Sequence, residues 1–228
     1  MLALLISLLF VAQPATRPAS SPTTQPTQPT GEVDWKQAVL DKSGIDVWPT
    51  VTRIKFTFNV DAAGRTVSRT HDWDLRTGVD TITKADGSTI SVSVWDYDQS
   101  VASPDKIEAY QQWTNDSYWL LMPLKLNDPG VRFTDATMTR DMPPTRATAT
   151  MAFDQGTGLT SGDEYDLTID LRRGVIDGWT YRPNANRSAT WTWQDYEDFN
   201  GLYLSTNHVN AQPDGARIFF TDIEVERE

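Results

Sequence analysis

Between residues 51 and 225, apolar side chains return at every second position in one short block after another, and Gly, Asp, Asn and Pro cluster between the blocks. A period of two is the pattern of a strand with one buried face, because successive side chains point to opposite sides of the pleat. Ile54, Phe56, Phe58 and Val60 alternate with Lys55, Thr57 and Asn59. Beyond the turn signal at 61–64, Val67, Arg69, His71, Trp73 and Leu75 share one parity, and Asp86-Gly87 leads into Ile90, Val92 and Val94. The pattern resumes at Val131 and Phe133, at Ala149, Met151 and Phe153, and at Tyr165, Leu167 and Ile169. It continues at Trp179 and Tyr181, at Trp191 and Trp193, around Leu202 to Leu204, and at Ile218, Phe220, Ile223 and Val225. Together these blocks predict about ten or eleven strands in a curled antiparallel sheet, a mainly β architecture with α+β character.

Two segments break that period. Val33 to Gly44 places Trp35, Ala38, Val39 and Lys42 on one helical face, with Gly44 as a stop. Ser103 to Asn115 has Pro104 at the first helical position and Ile107, Tyr110 and Trp113 spaced by three, which predicts a second helix. The apolar run from Tyr118 to Leu126 then reads as a strand or an irregular segment. Pro123 marks a bend, Lys125 a snorkelling charge, and Asp128-Pro-Gly130 a turn.

Charge and cysteine usage exclude several classes of function. A formal charge of -11 and a pI near 4.6 are the wrong sign for displacing counterions from a nucleic acid or for docking on an anionic bilayer. With no cysteine there are no disulfides, thiolate metal sites, cysteine nucleophiles or lipid-modified cysteine. Residues 1–13 open with an apolar run, Met1 to Ala12, of signal-peptide length, although no Lys or Arg precedes it. Residues 14–31 have the Pro/Thr composition of a disordered tether, so the folded domain is expected over 32–228, exported to the periplasm of a Gram-negative-type envelope or secreted.

Catalytic chemistry finds little footing. His71 and His208 are the only histidines; Asp72 follows His71 directly and points to the opposite face of a strand, so His71 reads as structural. Asp72-Trp-Asp74 and Asp96-Tyr-Asp98 place paired carboxylates on one face, as some glycosidases do, and a solvated polar face explains them equally. The stretch Asp154 to Glu164 lacks the Lys of a phosphate loop and the ligand spacing of a calcium hand, and reads as a hairpin connection. No Gly-x-Ser-x-Gly elbow occurs. The expectation is no catalytic residue, no metal site and no cofactor.

Three phrases carry a family resemblance: Asn115-Asp-Ser-Tyr-Trp-Leu-Leu-Met-Pro-Leu-Lys-Leu-Asn-Asp-Pro-Gly-Val131, Phe153-Asp-Gln-Gly-Thr-Gly-Leu-Thr-Ser-Gly-Asp-Glu-Tyr165 and His71-Asp-Trp-Asp74. With the order helix, strands, helix, strands, they resemble an exported branch of the LolA-like, outer-membrane lipoprotein-sorting proteins, over roughly residues 32–228. The resemblance implies a half-open β-barrel whose concave apolar face is covered by helices. In the sorting proteins that face holds the acyl chains of a lipoprotein in transit. No functional residue of those proteins maps onto a matching motif here.

Nine Trp, seven Tyr and eight Phe are either a filled core or a ligand trough. An acyl chain of about 14 methylenes costs on the order of 11 kcal/mol in water at ~0.8 kcal/mol per CH₂, so a carrier needs a long apolar surface to receive it. The residues expected to form that surface are Phe56, Phe58, Trp73, Trp113, Trp119, Phe133, Trp191 and Trp193, with Trp35, Val39 and Ile107 as the lid. The expected partner is a lipid or acylated protein, together with envelope proteins that load and unload it, and the carrier itself is a monomer. The competing reading is a secreted carbohydrate-binding or hydrolytic β-domain with exposed Trp platforms near carboxylates; a third is a filled structural core with no ligand.

Overall fold

The computed structural model describes residues 33–154, 164–184, 187–212 and 215–228; the expected leader at 1–13, the tether at 14–31 and most of the connection after Phe153 lie outside the described residues. The chain enters through α1 (Trp35–Ser43), capped at its start by the Asp34 carboxylate, which accepts from Gln37 N. Gly44 ends it in the left-handed region at φ 87°, where the Cβ of another residue is disfavoured. Trp35, Val39, Leu40 and Ser43 are buried, so the inner face is one step round from the expected Trp35, Ala38, Val39 and Lys42. Lys42 instead lies outside with its Nζ 4.1 Å from the centre of the Tyr203 ring.

Four strands follow: β1 (Val51–Ala62), β2 (Arg65–Asp74), β3 (Val79–Lys84) and β4 (Thr89–Ser93). The second helix, α2 (Pro104–Leu121), runs straight into a 3-10 turn at Met122–Asn127. The expectation of a strand or irregular segment over Tyr118–Leu126 is therefore corrected. Buried Tyr110, Trp113, Thr114, Ser117, Tyr118 and Leu121 continue a helical period past Asn115, and Pro123, unable to donate an N–H, ends the α-helix and opens the tighter turn. Then come β5 (Val131–Met138), β6 (Arg146–Phe153), β7 (Glu164–Asp170), β8 (Val175–Asn184), β9 (Arg187–Thr192), β10 (Gln194–Phe199), β11 (Leu202–Val209) and β12 (Arg217–Arg227).

The twelve described strands form two antiparallel sheets, in the orders β10-β11-β12-β1-β2-β3-β4 and β5-β6-β7-β8-β9. Two strands had no block of their own in the sequence pattern: β3, within the expected strand region, and β10, whose Gln194-Asp-Tyr-Glu-Asp-Phe sequence lies on a sheet edge and buries no residue. The sheets meet on one side, where Trp191 bridges Asn210 and Ala211 N donates to Thr190 O at 2.9 Å. On the other side β4 and β5 are outer edges, and the segment connecting them is α2 with its 3-10 turn. The result is the expected curled, open half-barrel of antiparallel strands with helices on its concave side. The opening is filled by its own connection.

Candidate functional site: an aromatic interior around one helix

The first turns of α2 are largely exposed, whereas from Trp113 to Leu121 only Asn115 and Trp119 keep partial exposure. A helix buried nearly all round lies inside a domain rather than on it. Here the inserted half is sheathed by rings from both sheets. Trp119 packs against Trp179, Trp191 and Trp193 with centroids at 4.7, 5.0 and 6.4 Å. Tyr118 packs on Phe153, Tyr165 and Trp179, and Trp113 meets Trp73 edge to face at 5.1 Å.

A second buried contact between α2 and the sheet is ionic. Alternation on β2 turns Arg69, His71 and Trp73 inward, and β3 brings Asp80 alongside. His71 Nδ1 lies 2.8 Å from Asp80 Oδ2 and Nε2 lies 2.9 Å from Asp116 Oδ2, Asp116 coming from α2. A carboxylate only accepts, so two carboxylates on one imidazole require a proton on each ring nitrogen. Arg69 binds the same Asp116 in a fork, Nη2 to Oδ1 at 2.6 Å and Nε to Oδ2, and Asn115 Nδ2 donates to Oδ1 at 2.8 Å. Burial alone would push His71 down; the Asp80 charge and the hydrogen bonds to Asp116 and Asp80 outweigh it, raising its pKa to about 9. Asp116, which burial would push up, is held below the usual carboxylate range by the Arg69 charge and the bonds from His71 and Arg69. Phe56 stacks on the imidazole at 4.8 Å and Phe58 lies under the guanidinium at 4.9 Å.

His208 shows the opposite behaviour. It is fully buried with Trp193, Trp119 and Phe220 around it at 4.3, 5.4 and 5.9 Å, and burial pushes its pKa down to about 3. It is a neutral ring within the aromatic pool.

Each residue expected on a ligand surface falls in or against one apolar cluster. Phe56, Phe58, Trp73, Trp113, Trp191 and Trp193 are buried; Trp119 and Phe133 are half-buried. They are not one continuous wall. Phe56 and Phe58 flank the ionic cluster, Trp73 faces Trp113, Trp119 is held between Trp191 and Trp193, and Phe133 packs on Trp35 at 5.1 Å. Of the expected lid, Trp35 and Val39 are buried on α1, and Ile107 is half-buried near the exposed end of α2.

None of the nine tryptophans is exposed. Of the paired carboxylates, Asp72 is forked by Arg53, Asp74 accepts from the backbone N–H of Arg76 and Thr77, and Asp98 accepts from the N–H and hydroxyl of Ser100. What sequence reasoning missed is the set Arg69, Asp80 and Asp116. A carboxylate three residues after Trp113 and four before Leu120, within a buried helical period, was the available signal for Asp116. Among the described residues no cluster of three or more histidines and acids is arranged to hold a metal ion.

No family model matches the chain, and no curated protein sequence matches it. Solved structures do. A DUF1329 family protein of Desulfovibrio piger is 10% identical, covering 84% of this chain and 92% of its own, with a TM-score of 0.43. A protein domain of Vibrio parahaemolyticus described as an outer membrane lipoprotein-sorting protein is 9% identical, covering 84% of this chain and 92% of its own at a TM-score of 0.45. The chain is similar as well to a LolA superfamily protein of Nitrosomonas europaea, at 10% identity and a TM-score of 0.49 over 85% of this chain and 94% of that one.

Proposed function

We propose that this protein is an exported envelope carrier, acting as a monomer and without catalysis, that takes an apolar ligand, a lipid or the acyl chains of a lipoprotein, into the interior that α2 fills. The observation that carries the reading is the chemistry of the inserted half of α2. Beside its aromatic rings it buries the hydroxyls of Thr114 and Ser117 without a hydrogen-bond partner among the described residues, a poor fit for a helix that never leaves the core. Its aromatic contacts are of a kind that an acyl chain can replace, one apolar surface for another, so the main cost of exchange is the release of Asp116 from Arg69 and His71. The element that leaves is the connection between two edge strands, which no ladder of sheet hydrogen bonds holds in place. The sugar-binding alternative is less well supported, since its platforms would be Trp191, Trp193 and Trp95, of which the first two are buried and the third half-buried.

Native mass spectrometry of the full chain purified from an envelope fraction, followed by solvent extraction, tests the reading. A stoichiometric co-purified lipid or acylated species is expected. A clean apo mass that stays unchanged after incubation with lipid micelles would defeat it.

A further inference from the structure

The interior holds hydrogen-bond donors that meet no acceptor. The indole N–H groups of Trp73, Trp113, Trp179 and Trp193 are buried without a hydrogen-bond acceptor, and so are the hydroxyls of Thr114 and Ser117 on α2. An indole nitrogen only donates, and a buried one normally finds a partner. The indoles form two edge-to-face pairs, Trp73 with Trp113 at 5.1 Å and 78°, and Trp179 with Trp193 at 5.2 Å and 71°. In such a pair the edge of one ring meets the face of the other, so a weak N–H to π contact serves one donor and not both. On the helix the Asp116 carboxylate is already used by Arg69, His71 and Asn115, and the neutral His208 ring beside Trp193 has a single acceptor nitrogen, so it can serve one donor at most.

The guest that fits is apolar enough to replace aromatic side chains, bears acceptors, and brings neither donors nor charge. A pure hydrocarbon leaves the donors orphaned. A free carboxylate adds a buried negative charge where the cations Arg69 and His71 are already matched by Asp116 and Asp80. We propose that the indole donors outside the helix, those of Trp73, Trp179 and Trp193, make this interior selective for ester-bearing acyl lipids, whose carbonyl oxygens they bind once α2 has made way. The inference rests on the carrier reading above and adds the chemistry of its cargo. Free glycerolipids and the diacylglyceryl anchor of a lipoprotein share that chemistry.

The test is a matched set of probes on the full chain: hexadecane, palmitate and methyl palmitate, with binding read by tryptophan fluorescence and by the ¹⁵N–¹H resonances of the indoles. Methyl palmitate is expected to bind at least about tenfold more tightly than hexadecane, one net hydrogen bond's worth, and to move indole proton resonances downfield. Replacing Trp73→Phe or, separately, Trp179→Phe keeps most of the ring and removes the donor, so the ester-to-hydrocarbon ratio falls. Should one variant fail to fold, the other carries the comparison. Equal affinities for ester and hydrocarbon overturn the selectivity and leave the carrier standing; tightest binding of palmitate also overturns it. Failure of all three probes to bind sinks the carrier reading and the selectivity together. Dipalmitoylglycerol and a diacylated lipopeptide then separate the two sources, each expected to outbind its ether-linked analogue.

Discussion

Asp116 on α2 and His71 on β2, 45 residues apart in sequence, share a 2.9 Å hydrogen bond between two fully buried side chains. Neither is stable there alone. Removing one partner of a buried ion pair strands the other charge, a loss of about 3–5 kcal/mol in comparable cases. Asp116→Ala is therefore expected to lower the urea unfolding free energy by that order. His71→Phe, which removes one charge from a balanced set of four, is expected to be destabilising as well; an effect below about 1 kcal/mol for both would show that the cluster does not anchor the helix.

Stability is expected to peak near neutral pH for reasons the two histidines separate. His71 titrates near 9 in the fold and at its ordinary value near 6.5 when unfolded, so its contribution is complete below about 6.5 and is lost as pH rises through 9. His208 is depressed to about 3, so the fold is stabilised by its neutral form above about 6.5 and loses that stability as pH falls toward 3. Asp116 adds to the acid-side loss, since its depressed carboxyl must be protonated there. Urea midpoints measured from pH 4 to 10 should fall on both sides, and His208→Leu should flatten the acid limb without touching the alkaline one.

Trp119→Ala removes the ring held among Trp179, Trp191 and Trp193. A large-to-small change at such a site costs about 3–5 kcal/mol when the surroundings cannot collapse. Thermal and urea unfolding measure it, and a cost under about 1 kcal/mol would mean that these rings repack freely.

At Gly44 an added Cβ would lie 2.2 Å from the carbonyl oxygen of Gly201, and φ is already 87°. Gly44→Ala should destabilise by more than the roughly 1 kcal/mol of backbone strain alone, because the α1 end must also move away from the β10–β11 turn. A melting temperature equal to the parent's would contradict this.

Hydrogen exchange gives the most direct view of the helix. Amides of α2 from Trp113 to Leu121 are expected to exchange through a partial opening at lower free energy than those of β1, β2 and β12. If they exchange only with global unfolding, the helix is a permanent core element.

Much of the fold was legible because period two is local: a strand with one buried face announces itself within six residues, as Ile54 to Val60 does. What was hidden had one of two causes. Edge strand β10 buries nothing, so hydrophobic alternation has no reason to exist there. The extension of α2 through Tyr118 looked like a strand because a helix enclosed on all sides loses its polar face, and with it the amphipathic signal. The aromatics could be enumerated but not grouped, since Trp119 meeting Trp191 depends on how two sheets curl. The ionic cluster needed three elements to converge, and alternation placed only Arg69 and His71 on a common face.

The same segment that closes the half-barrel is its covalent link between β4 and β5. Any guest of the interior thus competes with a binder that never diffuses away, whose effective concentration is set by the two short tethers rather than by expression or dilution. Apparent affinity equals intrinsic affinity multiplied by the fraction of molecules in which the helix has withdrawn. Substitutions on α2 alone can therefore tighten or loosen retention over orders of magnitude while every sheet residue facing the guest stays the same.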